Sequence, residues 1–597
     1  MSIARLMKLT VIGPERIEQQ ALEALQALGC MHLLPLAPPP DQPEDATDRQ
    51  AKSATTALRF LAEVADPRRQ VQRDPGFDIH AFVGRVLELR DRLRETGDRR
   101  DFLAHRIDEV RPWGDLVFPP EEELAGLHLW FYKLPLKERA ALEPLEIPWQ
   151  IVRSSTRFHY VVLIARDEPD AGLLPVPRTH TGAEPVSELE AQLEETEILL
   201  EELSAERQGL TRYLTLMRRQ MALAETRAEL EFARQQVLRD DSLFAVQGWV
   251  PEDRQAQVDA AAERLGLAML TEPPGPDDMP PTLLEQPDSR AAGVDLAMFY
   301  QVPGYRDWDP TLLVTGSFAI FFAMIVADAA YGLIIGLITA ALWPRLGGSA
   351  HGRSWRRLLV MISGATVIFG VMIGSYMGFS PAAHTLAADL KILDIGDFQA
   401  MMVISVVIGV IHLVLANAIS ARMRRGHVTA YASLGWCAVL LGGLAVWLAD
   451  PGALRSAGFA LAGAGLLAIL AFSSDQPLDG PMGWLKRLAG GLQGLAGAMG
   501  AFGDVLSYMR LFALGLASAS LALTFNDLAG QVRDAVPGLG LLLALLIFAV
   551  GHVLNFGLAL MSGTVHGLRL NYIEFFKWGL SGEGTAFRPF ARKEVQE

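Results

Sequence analysis

An arginine lies in the middle of a long apolar segment near the C-terminal end of the chain. Arg510 is flanked on both sides by mostly apolar and small residues, over positions 500–518. A guanidinium stays protonated in proteins. Placing one near the centre of a bilayer costs roughly 2.5–3.5 kcal/mol on insertion scales. A permanent positive charge at such a place indicates a function, so Arg510 is the first candidate functional residue.

A second polar pattern runs along the last apolar segment. Its residues are spaced by 3, 4, 3, 4 and 3 positions, which places them on one face of a helix. At 1.5 Å per residue this face is about 25 Å long, most of the hydrocarbon thickness of a bilayer. Polar residues along a membrane helix indicate contact with water or polar groups, so the face predicts a polar path. It consists of His552, Asn555, Ala559, Ser562, His566 and Arg569.

The segment around Arg510 carries polar residues of its own. Ser507 and Ser518 accompany the arginine, whereas Asp504 lies six positions before it and on a different helical face. A fixed positive charge beside a polar path attracts a membrane-buried carboxylate and keeps it ionised. No acid of this chain is an obvious partner for Arg510, so we expect a carboxylate from another subunit.

Some of these residues also have a purely structural interpretation. Arg569 lies near Glu574, so it either acts together with Arg510 or pairs with an internal acid and the lipid headgroups. His552 and Asn555 either line the polar path or form hydrogen bonds between packed helices. The sequence leaves these alternatives open.

The composition separates a soluble half from a membrane half. Of the 597 residues, positions 1–310 are rich in charged side chains, whereas positions 311–580 are mostly apolar. A net charge of −15 argues against a nucleic-acid-binding protein. The two cysteines lie in different halves and predict no disulfide framework, and no CxxC, HExxH or P-loop motif indicates a metal or cofactor site. The N-terminus lacks the apolar run of a signal peptide, so we expect the soluble half in the cytoplasm.

The number of membrane helices depends on residues 311–343, which are long for one pass and short for two. The four basic segments, 345–357, 422–425, 486–487 and 588–593, fall on the cytoplasmic side only if 311–343 enters the membrane and returns. We therefore predict a hairpin of two short helices broken around Asp328, which caps the second helix, with Gly332 as a further structural residue. This gives eight membrane helices and two cytoplasmic termini; a single tilted pass, giving seven helices, is the alternative. The other predicted spans lie near 358–379, 399–420, 429–449, 455–473, 490–530 and 538–569, and the last two are long enough to be strongly tilted.

The sequence of the soluble half predicts an α+β domain of two lobes joined by an antiparallel coiled-coil hairpin. Two heptad stripes, from Ile79 to Val110 and from Val186 to Ala224, have the alternating spacing of helices that wind around each other. The predicted division is a proximal α/β lobe (1–45 and 240–275), a coiled-coil rod (46–114 and 185–239), a distal α/β lobe (115–184), a proline-rich linker (276–310), the membrane domain (311–580) and a cytoplasmic tail (581–597).

The motifs around the two arginines resemble those of a known family. Residues 507–517, SYMRLFALGLA, and residues 566–576, HGLRLNYIEFF, followed by GEGTAF at 582–587, are similar to the a/I subunit of V-type and archaeal-type rotary ATPases. The shorter motifs QGWVP at 247–251, DPT at 309–311 and GVIH at 409–412, and the segment 321–332, fit the same family. The resemblance spans nearly the whole chain.

This resemblance implies a membrane stator beside a rotating proteolipid ring with buried carboxylates. Arg510 would separate two proton half-channels and Arg569 would assist it. The remaining site residues would line or order water in a half-channel: His566, Ser562, Asn555, His552, Ser507, Asp504, Ser518 and Glu574. The implied partners are the c/K/L-type ring, E/G-type peripheral stalk subunits, a d/C-type central-stalk subunit and the bilayer. ATP chemistry would belong to other subunits, and no cofactor is expected.

Two positions depart from the family pattern. Eukaryotic relatives usually have a glutamate near the position of Ala559 and a histidine where Ser518 stands, so these two departures leave the route of proton entry open. The lack of long eukaryotic-type insertions favours a bacterial or archaeal inner or plasma membrane. The alternative function is a secondary transporter with a cytoplasmic regulatory domain, which predicts internal membrane repeats that this sequence does not display.

Overall fold

The computed structural model describes residues 3–36, 47–115, 126–170, 172–179, 184–382, 384–474 and 480–593. The chain divides into two compact units. The larger unit comprises Met1–Leu36 and Leu238–Phe590, and the smaller one comprises Ala37–Val237 and Ala591–Glu597.

Helices dominate the described part of the chain. In chain order, its strands are β1 (Leu6–Pro14), β2 (His32–Leu34), β3 (His128–Pro135), β4 (Trp149–Ser154), β5 (Phe158–Ala165), β6 (Arg178–Thr179), β7 (Leu238–Asp240), β8 (Leu243–Pro251), β9 (Ala268–Glu272), β10 (Val302–Pro303) and β11 (Glu583–Gly584). The helices are α1 (Glu18–Leu28), α2 (Thr47–Ala62), α3 (Ile79–Val110), α4 (Val186–Leu210), α5 (Leu214–Gln235), α6 (Gln255–Leu265), α7 (Ala291–Met298), α8 (Thr311–Val326), α9 (Ala329–Ala341), α10 (Trp343–Leu346), α11 (Ala350–Ile373), α12 (Leu386–Asp389), α13 (Phe398–Met423), α14 (Thr429–Leu448), α15 (Ala453–Phe472), α16 (Gly480–Ser507), α17 (Met509–Ala535), α18 (Gly540–Arg569) and α19 (Phe576–Gly579).

One antiparallel sheet in the larger unit joins chain segments that are far apart in sequence. Its strand order is β2-β8-β1-β9, and β7 also pairs with β8. β1 pairs with β8 along its whole length, from Leu6 opposite Pro251 to Pro14 opposite Leu243. Because β7 belongs to this sheet, the predicted boundary of the rod at residue 239 lies slightly too far along the chain.

The segment predicted as a linker, residues 276–310, contains a helix. α7 occupies the proline-free residues between two proline-rich stretches, and Ala292 and Leu296 are buried in a core cluster with α8 and α11. The expectation of an irregular linker throughout is therefore wrong, because the prolines exclude helix only where they stand. The C-terminal segment packs on the same region, since β11 pairs with β10 and the N–H of Phe590 donates to the carbonyl of Met31.

The segment 311–343 forms two helices that reverse direction at Ala327 and Asp328. Ala327 has a positive φ of 50°, and the Asp328 carboxylate accepts hydrogen bonds from the N–H groups of Ala330 and Tyr331. α8 begins near Leu358 and ends near Ile373 of α11, so it runs parallel to α11. α9 runs the other way, since its first residue Ala329 contacts Gly370 and the later Gly336 approaches Ser363. α8 and α9 therefore form a hairpin that packs along α11.

Six helices of the described residues are long and apolar enough to cross a membrane, and α8 and α9 are shorter apolar helices. This is the pattern of a multi-pass membrane protein. One predicted span needs correction. α11 begins at Ala350 and not near 358, and it ends at Ile373 because Gly374 adopts the left-handed conformation of a C-cap, with φ 75°. The long span predicted near 490–530 is found as one candidate span, Leu485–Ala535, in which α16 and α17 meet at Tyr508.

The smaller unit contains an antiparallel pair of helices and a separate sheet. α3 has the bounds of the first heptad stripe, and its residues Phe82, Val86 and Leu89 share a core cluster with Leu203 and Leu210 of α4. A 3-10 turn at Thr211–Tyr213 separates α4 from α5, so the second stripe is not one continuous helix. The sheet has the order β4-β5-β3-β6 and lies within the residues predicted as the distal α/β lobe.

Candidate polar site of the membrane helices

The last two long helices pack side by side in opposite directions. Phe525 of α17 fills the space beside Gly551 of α18, and Ser518 of α17 is hydrogen-bonded to Asn555 of α18. This antiparallel register brings Arg510, near the start of α17, to the level of His566 and Arg569, near the end of α18. The two polar patterns predicted from the sequence thus lie on adjacent helices.

Three charged or titratable side chains and one serine lie near Arg510. Glu574 and Arg569 lie within electrostatic range of Arg510, and His566 lies within range of both arginines. Ser507, whose hydroxyl donates to the carbonyl of Gly503 one turn earlier, lies beside Glu574. These five residues, all predicted site residues, define the arginine cluster.

The polar groups of the arginine cluster are incompletely paired. Among the described residues, Nη1 of Arg510, Oε2 of Glu574 and Nδ1 of His566 are buried atoms without a hydrogen-bond partner. Neither Arg510 nor Arg569 forms an ion pair within 4 Å in this part of the chain. Arg510 and His566 are half-buried, and Arg569 is exposed. The cluster therefore opens to the surface of the membrane helices with two positive charges and one buried acid.

A π-helical segment positions Glu574. Residues Leu570–Phe575 follow α18 without interruption and continue into α19, so the helix extends to Gly579. A π-helical turn is wider than an α-helical turn and shifts the faces of the residues that follow it, and such turns are frequent at functional sites. Glu574 is only 2% exposed. The sequence pattern gave no signal for this segment.

Asp504 lies outside the arginine cluster. Its carboxylate accepts hydrogen bonds from Nζ of Lys577 and from Nε1 of Trp578, each at 2.8 Å. This ion pair ties α16 to the end of the last helix. The predicted difference in face between Asp504 and Arg510 agrees with this placement, and the assignment of Asp504 to the proton path gains no support from it.

A second polar group, the tyrosine cluster, lies further along the same two helices. The hydroxyl of Tyr331 in α9 is 2.7 Å from Nδ1 of His552 and accepts a hydrogen bond from Nδ2 of Asn555 at 3.1 Å. Nε2 of His552 is 2.9 Å from Oδ1 of Asn526, whose amide donates to the carbonyl of Met377. Asn555 also donates to the carbonyl of Ser518 at 2.9 Å.

The hydrogen bonds of the tyrosine cluster fix its donors and acceptors. Because Asn555 donates to the Tyr331 oxygen, the tyrosine proton is free to point at Nδ1 of His552, which leaves Nε2–H to donate to Asn526. Both N–H groups of Asn555 are used, and the hydroxyl of Ser518 approaches its oxygen at 3.4 Å. This saturation favours the interpretation of His552 and Asn555 as residues that join helices. It also makes them a rigid polar wall.

Asp328 stabilises α9, the helix that carries Tyr331 of the tyrosine cluster. In addition to capping α9, its carboxylate accepts a hydrogen bond from Ser375 at 2.8 Å, and it is 3% exposed. Gly332 allows α9 to approach α11 closely, since a Cβ there would lie 2.8 Å from the backbone nitrogen of Val367. Asp328 and Gly332 thus hold the helix that carries Tyr331, as the structural roles predicted for them require.

Ala559 separates the two clusters. It is 3% exposed and packs in an apolar core cluster with Phe322 of α8. The polar face is therefore interrupted between Asn555 and Ser562, a gap of about 10 Å at the rise of an α-helix. Exposure along the face increases from buried His552 and Asn555, through half-exposed Ser562 and His566, to exposed Arg569.

Sequence reasoning missed several residues that the fold brings to these clusters. Tyr331 and Asn526 complete the tyrosine cluster, and the hydroxyl of Tyr508 is 2.8 Å from Nδ1 of buried His412 at the helix break. Tyr331 follows the capping Asp328 by three positions, which was the one local signal available. No group of three or more His, Cys, Asp or Glu side chains in the described ranges could hold a metal ion.

Several known proteins that are similar in sequence to this chain are subunit I proteins of A-type or V-type ATP synthases. No family model matches the chain. The A-type ATP synthase subunit I of Methanocaldococcus jannaschii is 27% identical over 455 residues, which cover 69% of this chain and 64% of the relative. The V-type ATP synthase subunit I of Chlamydia muridarum is 27% identical over 600 residues, covering 86% of this chain and 87% of the relative. That of Borreliella burgdorferi is 23% identical, with 85% and 86% covered. The resemblance to this family is confirmed.

A solved structure also matches part of the chain. The crystal structure of the cytoplasmic N-terminal domain of subunit I, a homologue of subunit a of V-ATPase, covers 44% of this chain and is itself covered to 99%, at 19% identity. The TM-score of 0.25 is too low for this match to support a common fold.

Proposed function

We propose that this chain, a relative of the subunit I proteins of A-type and V-type ATP synthases, is the membrane stator subunit of a rotary ATPase or ATP synthase. It provides two proton half-channels and the arginine that faces a rotating proteolipid ring. The single observation that carries this proposal is the lack of an ion pair at Arg510 in the described part of the chain. Arg510 is half-buried in a membrane helix, and no acid in the described part of the chain lies within ion-pair distance of it.

An unpaired guanidinium in a bilayer needs a partner that arrives from elsewhere. A ring subunit with a buried carboxylate supplies that partner, because the ionised carboxylate is attracted to Arg510 whereas the protonated, neutral carboxyl group is not. Each ring carboxylate must therefore release its proton before it passes Arg510. Arg569, exposed on the same surface, adds to the positive potential and assists this step.

The separation of the two clusters supports two offset half-channels. The arginine cluster, with Ser562 and His566, opens toward the surface of the helices and orders water on one side of Arg510. The tyrosine cluster forms the polar wall on the other side, where His552, Asn555 and Ser518 are fixed by hydrogen bonds. Buried Ala559 between them prevents one continuous polar path along α18. A continuous path would leak protons past the ring, so this interruption is what the mechanism requires.

The remaining features belong to the same proposal. The hairpin of α8 and α9 together with the six longer apolar spans makes eight membrane helices, and both termini lie in the cytoplasm. The antiparallel helix pair of α3 and α4 is a coiled-coil rod that anchors E/G-type peripheral stalks and resists torque. A d/C-type central-stalk subunit lies nearby, and the complex resides in a bacterial or archaeal inner or plasma membrane. ATP hydrolysis or synthesis takes place on other subunits.

The test replaces Arg510 in the assembled complex. We expect Arg510→Ala and Arg510→Lys to abolish ATP-driven acidification of vesicles while all subunits still co-purify with a proteolipid ring. Arg533→Ala is the matched control, because Arg533 lies at the other end of α17, is exposed and pairs with its neighbour Asp534. The control keeps acidification. Coupled transport in an Arg510→Ala complex would refute the proposed role.

A further inference from the structure

A cavity of about 450 Å³ opens where the end of α13 meets the start of α14. Its outer rim carries the basic residues Arg422, Arg425 and His427. Its inner part is lined by Ala418, Tyr431 and Leu434. Ala418 lies one helical turn before Arg422, so the cavity changes from basic to apolar over a depth of about 6 Å into the membrane region.

The two arginines of this cavity have no ionic partner in the described part of the chain. Both are exposed, and neither forms an ion pair there. Two other arginines near the ends of the membrane helices are engaged within the chain. The guanidinium of Arg356 lies over the ring of Trp343 at 4.5 Å, and Nε of Arg487 donates to the carbonyl of Ala471. Within the described part of the chain, Arg422 and Arg425 thus present guanidinium groups without an ionic partner at a cavity that is also lined by apolar residues.

We propose that this cavity binds one anionic phospholipid. The headgroup phosphate lies between Arg422 and Arg425, and an acyl chain lies along Ala418 and Leu434. The planar guanidinium fork matches a phosphate group with two parallel hydrogen bonds. Basic pockets between membrane helices at the cytoplasmic side are suited to anionic headgroups. Tyr431 also lines the cavity, and an aromatic ring with a polar tip fits the membrane interface.

A lipid accounts for both parts of the cavity, whereas free phosphate would use only its rim. The site is distant in sequence from the arginine cluster and involves none of its residues. It therefore holds or fails independently of the proposed role in ion translocation.

The first experiment measures ligand preference with the full chain purified in detergent. Phosphatidylglycerol, phosphatidylcholine and inorganic phosphate are titrated separately, with native mass spectrometry for bound lipid and thermal unfolding as readouts. We expect one tightly retained phosphatidylglycerol per chain. Phosphatidylglycerol should be the only one of the three ligands that raises the unfolding temperature. Only excess phosphatidylglycerol should displace the retained lipid. Equal effects of phosphatidylcholine would overturn the headgroup contacts. A full effect of inorganic phosphate would overturn the assignment to a lipid.

The second experiment uses variants that differ in one feature each. Arg422→Gln with Arg425→Gln should weaken phosphatidylglycerol binding roughly thirtyfold, because two cations near the headgroup are lost. Arg424→Gln is the matched control, since Arg424 is an exposed arginine in the same connection but does not line the cavity. Replacing Arg422 and Arg425 by lysine keeps the charge and should weaken binding less than glutamine does. Equal losses in the control and the double variant, with elution profiles unchanged, contradict the proposal.

Discussion

Glu574 and Arg510 lie in the same cluster, and each has one buried polar atom without a hydrogen-bond partner among the described residues. They interact electrostatically without forming an ion pair within 4 Å. A direct pair between them would neutralise the arginine and leave nothing for an acid on a neighbouring subunit. The separation keeps Arg510 available, while the nearby carboxylate reduces the repulsion between Arg510 and Arg569.

Replacing Glu574 by glutamine tests this arrangement. The change removes the negative charge and keeps the size of the side chain, so two cations remain without a compensating acid. We expect ATP-driven acidification to fall on the order of tenfold, with subunit composition unchanged. Glu583→Gln, at an exposed position of β11, is the control and should retain wild-type transport. Wild-type transport in the Glu574 variant would show that Arg510 and Arg569 need no internal acid.

Tyr331→Phe tests the tyrosine cluster. The hydroxyl joins His552 to Asn555, so its loss leaves two buried polar groups without their partner. We expect a destabilisation of about 1–3 kcal/mol, seen as a lower thermal unfolding temperature in detergent, together with reduced proton transport. Tyr376→Phe, at a half-exposed position of the loop after α11, serves as the control. An unchanged unfolding temperature for Tyr331→Phe would mean that the hydroxyl contributes nothing to the contact between α9 and α18.

Structural elements whose residues follow a regular local pattern could be predicted from the sequence. The first heptad stripe gave the bounds of α3, because apolar residues repeated over many turns leave a helix few alternatives. The reversal at Asp328 was predictable for another local reason, since an acid followed by small residues inside an apolar run caps a new helix. The polar face of α18 followed from spacing alone.

The missed features depend on contacts between distant segments. Tyr331 reaches His552 across 221 positions, and Lys577 reaches Asp504 across 73. The π-helical segment that positions Glu574 has no local pattern of its own. α7 was missed because the prolines on both sides of it led to the prediction of a linker for residues 276–310. Spacing identifies which face of a helix is polar, but packing decides which neighbour that face meets.

Gly332→Val tests the close packing of α9 on α11. A Cβ at Gly332 would lie 2.8 Å from the backbone nitrogen of Val367 and 3.1 Å from the carbonyl carbon of Thr366. Backbone atoms cannot move aside as a flexible side chain does, so the helices must separate, at a cost of about 1–3 kcal/mol. Gly364→Val is the control, because a Cβ there meets no described atom within 4 Å. We expect a lower unfolding temperature for the Gly332 variant alone, and equal values for both would contradict the packing argument.

Acidification should release the C-terminal segment from the sheet of the larger unit. Nδ1 of His32 accepts a hydrogen bond from the N–H of Arg588 at 2.9 Å, and the imidazole ring packs against Phe587. Burial lowers the pKa of His32 below its usual value of about 6.5. Protonation turns Nδ1 into a donor and removes the bond. Because the folded pKa is the lower one, this contribution is complete above about pH 6.5 and is lost as the pH falls through the lowered pKa.

Hydrogen exchange checks this pH dependence. After correction for the intrinsic effect of pH, amides of residues 587–590 should be protected at pH 7.5 and lose protection toward pH 5. His32→Gln should remove most of this pH-dependent step in protection, because an amide side chain does not titrate in this range. His128→Gln, at an exposed position of β3, should leave the step unchanged. The same step in the His32 variant would assign the release to another group. Loss of the step in that variant alone makes His32 the residue that couples pH to the docking of the C-terminal segment.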